Sequence, residues 1–236
     1  MVRSLRCRGL LLLPIAVLAT LPALSITHKR ATSSRSDRPV DRKSGANAAS
    51  PGKQERTVYD YNLPGADGKD IPVSSFRGKF LLIVNLARAS SYSSQLPALI
   101  QLSKSYKDRG LVVVGIPSND FGASEPGTDA EIHKFYADAK AEFLVADVAK
   151  VSGDEAIPLY LYLTHPSDAA AADAVHWNYT KFFVDRKGKV IARLDPDVAP
   201  DSPEMTATIE QILTDRYKPT NEPAKATLNV AAGPAN

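Results

Sequence analysis

The chain has 236 residues, enough for one ordinary domain with long appendages or two small domains. Hydrophobic residues make up 44% and charged residues 23%, which excludes a wholly disordered chain, and the single cysteine, Cys7, excludes disulfide frameworks, cysteine zinc sites and every two-cysteine redox motif. The net charge of +3 is uneven: residues 1–56 hold 11 Lys or Arg against 3 Asp or Glu, so the remaining 180 residues carry −5, and the basic balance is poor evidence for a nucleic-acid-binding domain.

The chain opens with Arg3, Arg6 and Arg8 ahead of an uncharged, Leu-rich run from Gly9 to Ile26. This pattern reads as a secretory signal over residues 1–25, cut before Ile26, with Ala23 and Ser25 as the small residues a signal peptidase reads. Export is expected, and Cys7 leaves with the signal. The alternative is an uncleaved N-terminal membrane anchor, for which the run is marginal in length and interrupted by Pro14 and Pro22. Residues 26–56 read as a basic disordered linker, and residues 218–236 as a loose tail, because neither carries large apolar residues at a regular spacing. The folded unit is therefore expected over residues 57–217.

Within that unit strands and helices alternate. Leu81–Leu86 is a continuous apolar run, as a strand buried on both faces requires. Leu96, Leu99, Ile100 and Tyr106 recur on one face of a helix that Gly110 ends, with Ser90 or Ser91 as its N-cap. Leu111–Ile116 is a second buried strand, and the strand–helix–strand stretch predicts a parallel unit. Thr128–Glu131 is a capping box opening a helix, and Ser152–Glu155 reads as another. Tyr179–Asp185 and Lys189–Leu194 are strands of a hairpin around Arg186-Lys187-Gly188, and Ser202-Pro203 starts a last helix through Leu213. That order predicts an α/β, thioredoxin-like domain with a central mixed sheet flanked by helices.

Several stretches, in order, resemble the glutathione peroxidase family. Asn85-Leu86-Ala87-Arg88-Ala89-Ser90 sits where the family has Asn-Val-Ala-Ser-x-Cys, and Gly115-Ile116-Pro117-Ser118-Asn119-Asp120-Phe121-Gly122 is similar to its Gly-Phe-Pro-Cys-Asn-Gln-Phe-Gly. Glu125-Pro126-Gly127, Glu131-Ile132, Pro158-Leu159-Tyr160 and Trp177-Asn178-Tyr179-Thr180-Lys181-Phe182 follow in register. The resemblance spans about Val58 to Leu213. It implies two-electron reduction of hydroperoxides by a soft nucleophile of low pKa at a helix N-terminus, with a thiol such as glutathione or thioredoxin as co-substrate and no bound cofactor or metal. The short connection from Leu161 to His176 resembles that of monomeric members, so a monomer is expected.

By that resemblance the catalytic positions are Ser90 for the nucleophilic Cys, Asp120 for the Gln, and the retained Trp177 and Asn178. A serine hydroxyl is scarcely ionised near neutrality and has no sulfenic-acid step, so lost or much reduced peroxidase activity is expected. A carboxylate at Asp120, if about 4 Å from a thiolate, opposes that anion by about 4 kcal/mol at an effective dielectric near 20. The commoner role of such an aspartate is to satisfy loop amides. Trp177 by itself reads as core packing as readily as a peroxide-pocket remnant, and Asn178 also opens an Asn-Tyr-Thr glycosylation sequon. His28, His133, His165 and His176 show no metal-like pairing and read as solvated or capping residues. A Ser90–His176–Asp120 hydrolase is disfavoured, since no Gly-x-Ser-x-Gly elbow surrounds Ser90. The alternative to a degenerate peroxidase is an exported binding module that reuses the depression around Trp177, with no nucleic-acid partner.

Overall fold

The computed structural model describes residues 55–164 and 173–218. The signal segment, the linker up to residue 54, Cys7, His28, His165 and most of the C-terminal tail lie outside the described residues. The chain enters through a 3-10 turn at Val58–Asp60 and a small antiparallel hairpin of β1 (Asn62–Gly65) and β2 (Lys69–Pro72). A five-stranded mixed sheet follows, built from β3 (Phe80–Leu86), β4 (Leu111–Pro117), β5 (Leu144–Val145), β6 (Lys181–Val184) and β7 (Val190–Leu194) in the order β5-β4-β3-β6-β7. β3 pairs in parallel with β4 and β4 with β5, whereas β6 joins β3 and β7 joins β6 antiparallel. The helices are α1 (Leu96–Tyr106), α2 (Asp129–Asp138), α3 (Pro158–Thr164) and α4 (Pro203–Leu213). This is the α/β arrangement with a mixed sheet flanked by helices that the element order predicts.

Every residue of β3 is buried, which is why its sequence shows no polar alternation. Leu81 and Ile83 face one core, with Val58, Leu63, Leu159, Tyr160 and Phe182. Leu82 and Val84 face the other, where Leu99, Ile132, Phe183, Met205 and Ile209 lie. Each such side chain contributes about 1.5–3 kcal/mol on leaving water, so the two faces of β3 hold the layers together. α1 closes through a 3-10 turn at Lys107–Arg109 onto Gly110, whose φ of 90° only glycine adopts without strain. Thr128 forms the expected capping box with Glu131, and the Ser202 hydroxyl accepts the Met205 N–H ahead of Pro203.

Four expectations need correction. Ser152–Glu155 opens no helix, since α3 starts at Pro158; a helix begun at Ser152 would carry that proline inside it and lose a backbone bond. α1 is not capped by Ser90 or Ser91, because a 3-10 turn at Ser93–Gln95 intervenes and Gln95 takes the cap position. Pro97, in the first turn, is the residue that marks the true start. β6 starts at Lys181 rather than Tyr179, because Tyr179 has a φ of 65° and breaks the extended backbone. β7 begins one residue later than expected, at Val190.

Candidate functional site

β3 and β4 are adjacent and parallel, so the loops leaving their carboxyl ends lie side by side, where open α/β sheets place their ligands. The segment entering the antiparallel β6 arrives at the same end. Three stretches therefore meet: 87–92, 118–127 and 177–180.

The first two are stitched together by backbone and by a buried charge. Ala89 N–H donates to Ser124 O at 2.9 Å, and Ser118 N–H to Leu86 O at 3.0 Å. Asn119 closes the second loop on itself, exchanging side-chain hydrogen bonds with the Glu125 backbone at 2.8 Å in both directions. The Glu125 side chain has no exposure and takes the Arg88 N–H at 2.8 Å and the Tyr136 hydroxyl at 2.9 Å, while Arg88 Nε lies 2.8 Å from its other oxygen. Burial pushes the Glu125 carboxyl above the usual range, against the pull of these donors and the Arg88 charge. The Arg88 guanidinium also bonds Pro126 O and stacks on Phe135 at 5.5 Å. Gly127, with φ of 104°, passes beneath it; a Cβ there would lie 2.9 Å from Arg88 Nη2. No part of this network is evident from sequence patterning: Glu125 stands in a recognisable motif, but nothing in the spacing pairs it with Arg88.

The four expected site residues are placed as follows. Ser90 is 6% exposed at the head of the turn into α1; its hydroxyl accepts the Tyr92 N–H at 3.3 Å and its carbonyl the Ser93 N–H at 3.0 Å. Asp120 turns its carboxylate onto the chain ahead of α3, accepting from Val151 N–H at 2.6 Å, Ser152 N–H at 2.9 Å and the Ser152 hydroxyl at 3.3 Å. Trp177 is 43% exposed, so it is not core packing; its ring leans on Phe121 at 6.0 Å. Asn178 is fully buried, and its Nδ2 donates to Phe121 O at 3.1 Å. The sequon reading fails for that reason, since neither the Asn178 amide nor Thr180 reaches the surface.

Asn85 positions the aromatic ledge. Its Nδ2 donates to Trp177 O at 3.1 Å and its carbonyl accepts the Tyr179 N–H at 2.7 Å, holding Tyr179 in its left-handed conformation. The Oδ1 atoms of Asn85 and Asn178 are buried without a hydrogen-bond partner among the described residues. The structure thus joins Trp177 and Asn178 through Phe121, the neighbour of Asp120, and binds the Ser90 loop to the same 118–127 segment. It does not assemble a hydrolase triad: His176 is exposed and pairs with Asp173 at 3.3 Å, and Asp120 is held by residues 151–152. His133 pairs with Asp147 at 2.6 Å.

Beside the site Lys181 is fully buried, donating to Gln95 Oε1 at 2.9 Å and Pro196 O at 3.2 Å. Burial pulls its amine down to about 7, with Asp197 and Asp195 opposing.

A family model for glutathione peroxidase matches residues 58–164. A probable phospholipid hydroperoxide glutathione peroxidase of Mesembryanthemum crystallinum is 40% identical over 153 residues, covering 64% of this chain and 90% of that protein. A putative chloroplastic glutathione peroxidase 7 of Arabidopsis thaliana is 39% identical over 148 residues, covering 62% and 64% of the respective chains. The crystal structure of T. cruzi GPX1 superposes with a TM-score of 0.54 at 26% identity, covering 67% of this chain and 97% of that one. At 40% identity over 90% of the Mesembryanthemum crystallinum protein, with the family model matching from β1 through α3, the chain belongs to the glutathione peroxidase family.

Proposed function

We propose that this chain is a glutathione peroxidase family protein in which hydroperoxide reduction is lost or much reduced, because Ser90 stands at the nucleophile's position. The hydroxyl at Ser90, buried at the head of the turn into α1, carries this reading. The reaction class needs an anion that attacks the peroxide oxygen and is then carried as a sulfenic or selenenic acid until a thiol reduces it. Oxygen supplies neither step, and the one cysteine of the sequence, Cys7, lies outside the described residues. The relatives' names point to lipid hydroperoxides as the substrate class from which the site descends, with a thiol as co-substrate for any residual activity.

The test is peroxide consumption by the chain in a Cys7→Ser background, with glutathione and thioredoxin-type reductants. The Ser90 protein is expected to consume no peroxide above the blank. Ser90→Cys is expected to react stoichiometrically and to yield a sulfenic acid trapped by a dimedone-type probe. Substantial turnover by the Ser90 protein overturns the reading.

A second reading, a non-catalytic binding module, is favoured by the half-exposed Trp177 ring beside Phe121 and by the buried amide oxygens of Asn85 and Asn178, which lack a partner among the described residues. Saturable quenching of Trp177 emission by a ligand, in a protein inert to peroxide, distinguishes it. Export through the secretory pathway rests on the Arg-flanked apolar run, whereas relatives include proteins named chloroplastic and mitochondrial. Intact mass of the natural protein decides between them, with a chain starting near Ile26 expected.

A further inference from the structure

The two ends of the central sheet carry opposite charge. At the site end, residues 87–92, 118–127, 150–155, 173–177 and 195–204 hold nine Asp or Glu against two Lys or Arg. The other end gathers five stretches. Phe80 opens β3 and its N–H donates to Gly110 O at 3.0 Å, so Arg77–Lys79 lies beside the 107–110 turn. β6 runs against β3, so the β6–β7 turn emerges here too, and Arg186 stacks over the Phe80 ring at 4.5 Å. Arg186 reaches Asp215 at 3.8 Å and Arg109 reaches Glu210 at 2.6 Å, which adds the end of α4. The chain also enters the fold here, with Val58 N–H on Gly188 O at 3.0 Å and Glu55 on Lys189 at 2.8 Å. Residues 55–60, 77–79, 107–110, 185–189 and 210–218 hold ten Lys or Arg against six Asp or Glu. Lys79, Lys107, Lys187, Arg216 and Lys218 are exposed and form no ion pair among the described residues.

We propose that this end of the fold is a docking surface for the anionic lipid headgroups of a bilayer, with the Trp177 ledge turned away from the membrane. Three observations favour that occupant. The sequence joining the fold at this end, residues 27–54, carries seven Lys or Arg against two Asp or Glu, so a basic segment leads into the basic end. Unpaired Lys and Arg side chains keep their charge for phosphate or carboxylate groups outside the protein. Three aromatic rings here are each covered on one face by a guanidinium group, Arg77 over Tyr59, Arg109 over Tyr106 and Arg186 over Phe80, which reduces the area open to stacking by a nucleic-acid base. The acidic site end is repelled by the same headgroups, so charge alone orients the molecule.

The test is co-sedimentation of the full chain with phosphatidylcholine vesicles, with and without phosphatidylserine. Binding to the anionic vesicles is expected to fall as salt rises from about 0.1 to about 0.5 M. A Lys79→Glu, Lys187→Glu, Arg216→Glu variant is expected to bind them roughly tenfold or more weakly, while Lys134→Glu on α2 leaves binding unchanged. Should the charge-reversed protein fold poorly by circular dichroism, the Gln versions at the same positions give the same comparison with a smaller loss. Trp177 is the one tryptophan, so it reports orientation: its emission in the vesicle-bound protein is expected to be unquenched by brominated lipids. Equal binding to neutral vesicles, undiminished binding of both the Glu and the Gln variants, quenching of Trp177, or tighter binding to a single-stranded RNA than to the vesicles each overturns the proposal.

Discussion

Lys181 carries its amine inside the fold with two neutral oxygens as direct partners, and the cost of that burial is pH-dependent. The unfolded chain holds the proton up to about 10.4 and the folded one only to about 7, so between those values the unfolded state binds more protons. Stability therefore rises with pH across that window and is flat below about 7, where both states are charged. The difference in pKa corresponds to on the order of 5 kcal/mol between the two ends of the window. Lys181→Met is expected to flatten the rise, read as the difference between wild-type and variant urea midpoints at pH 6, 8 and 10. Parallel profiles would show the amine to be hydrated in the folded state. Asp120 makes a second residue-scale case. Its carboxylate accepts both amides at Val151 and Ser152, so Asp120→Ala leaves two donors unmet and is expected to lose about 1–3 kcal/mol in thermal denaturation, with Asp120→Asn losing less. An Asp120→Ala protein as stable as the wild type would place that carboxylate elsewhere.

Among the elements, caps allow a graded comparison. Thr128 and Ser202 each hold an N3 amide of a helix, so Thr128→Ala and Ser202→Ala should each cost about 1 kcal/mol by urea titration. Ser90→Ala should cost less, because its hydroxyl serves a turn ahead of α1 and not the helix itself. Equal losses at all three positions would restore Ser90 as a helix cap. Both caps were legible in the sequence because a cap is a local pattern. So were β3 and β4, whose unbroken apolar runs match burial on both faces. β5 was not, being two residues long, nor was the β1–β2 hairpin, whose residues carry little apolar alternation. At the site, Trp177 and Asn178 were found through a resemblance in order along the chain. The Arg88–Glu125–Tyr136 network and the Lys181 pocket were not found, because buried charge has no period and is visible only once the chain is folded.

At the scale of the molecule, the buried apolar residues of the described core run from Val58 to Ile212. A chain trimmed to residues 57–217 is therefore expected to melt within a few degrees of the full chain and to sediment as a monomer. Loss of a cooperative transition on trimming would give the flanks a structural part. Within that unit β3 is the middle strand, and its two neighbours differ in when they become available. β4 follows after one helix, but β6 pairs Val184 with Leu81, more than a hundred residues later in the chain. During synthesis the β6-facing edge of a fully apolar strand therefore stays open until nearly all of the domain has left the ribosome. The nascent chain, more than the finished protein, is where this fold is exposed to aggregation, and where a holding chaperone has a defined strand edge to shield.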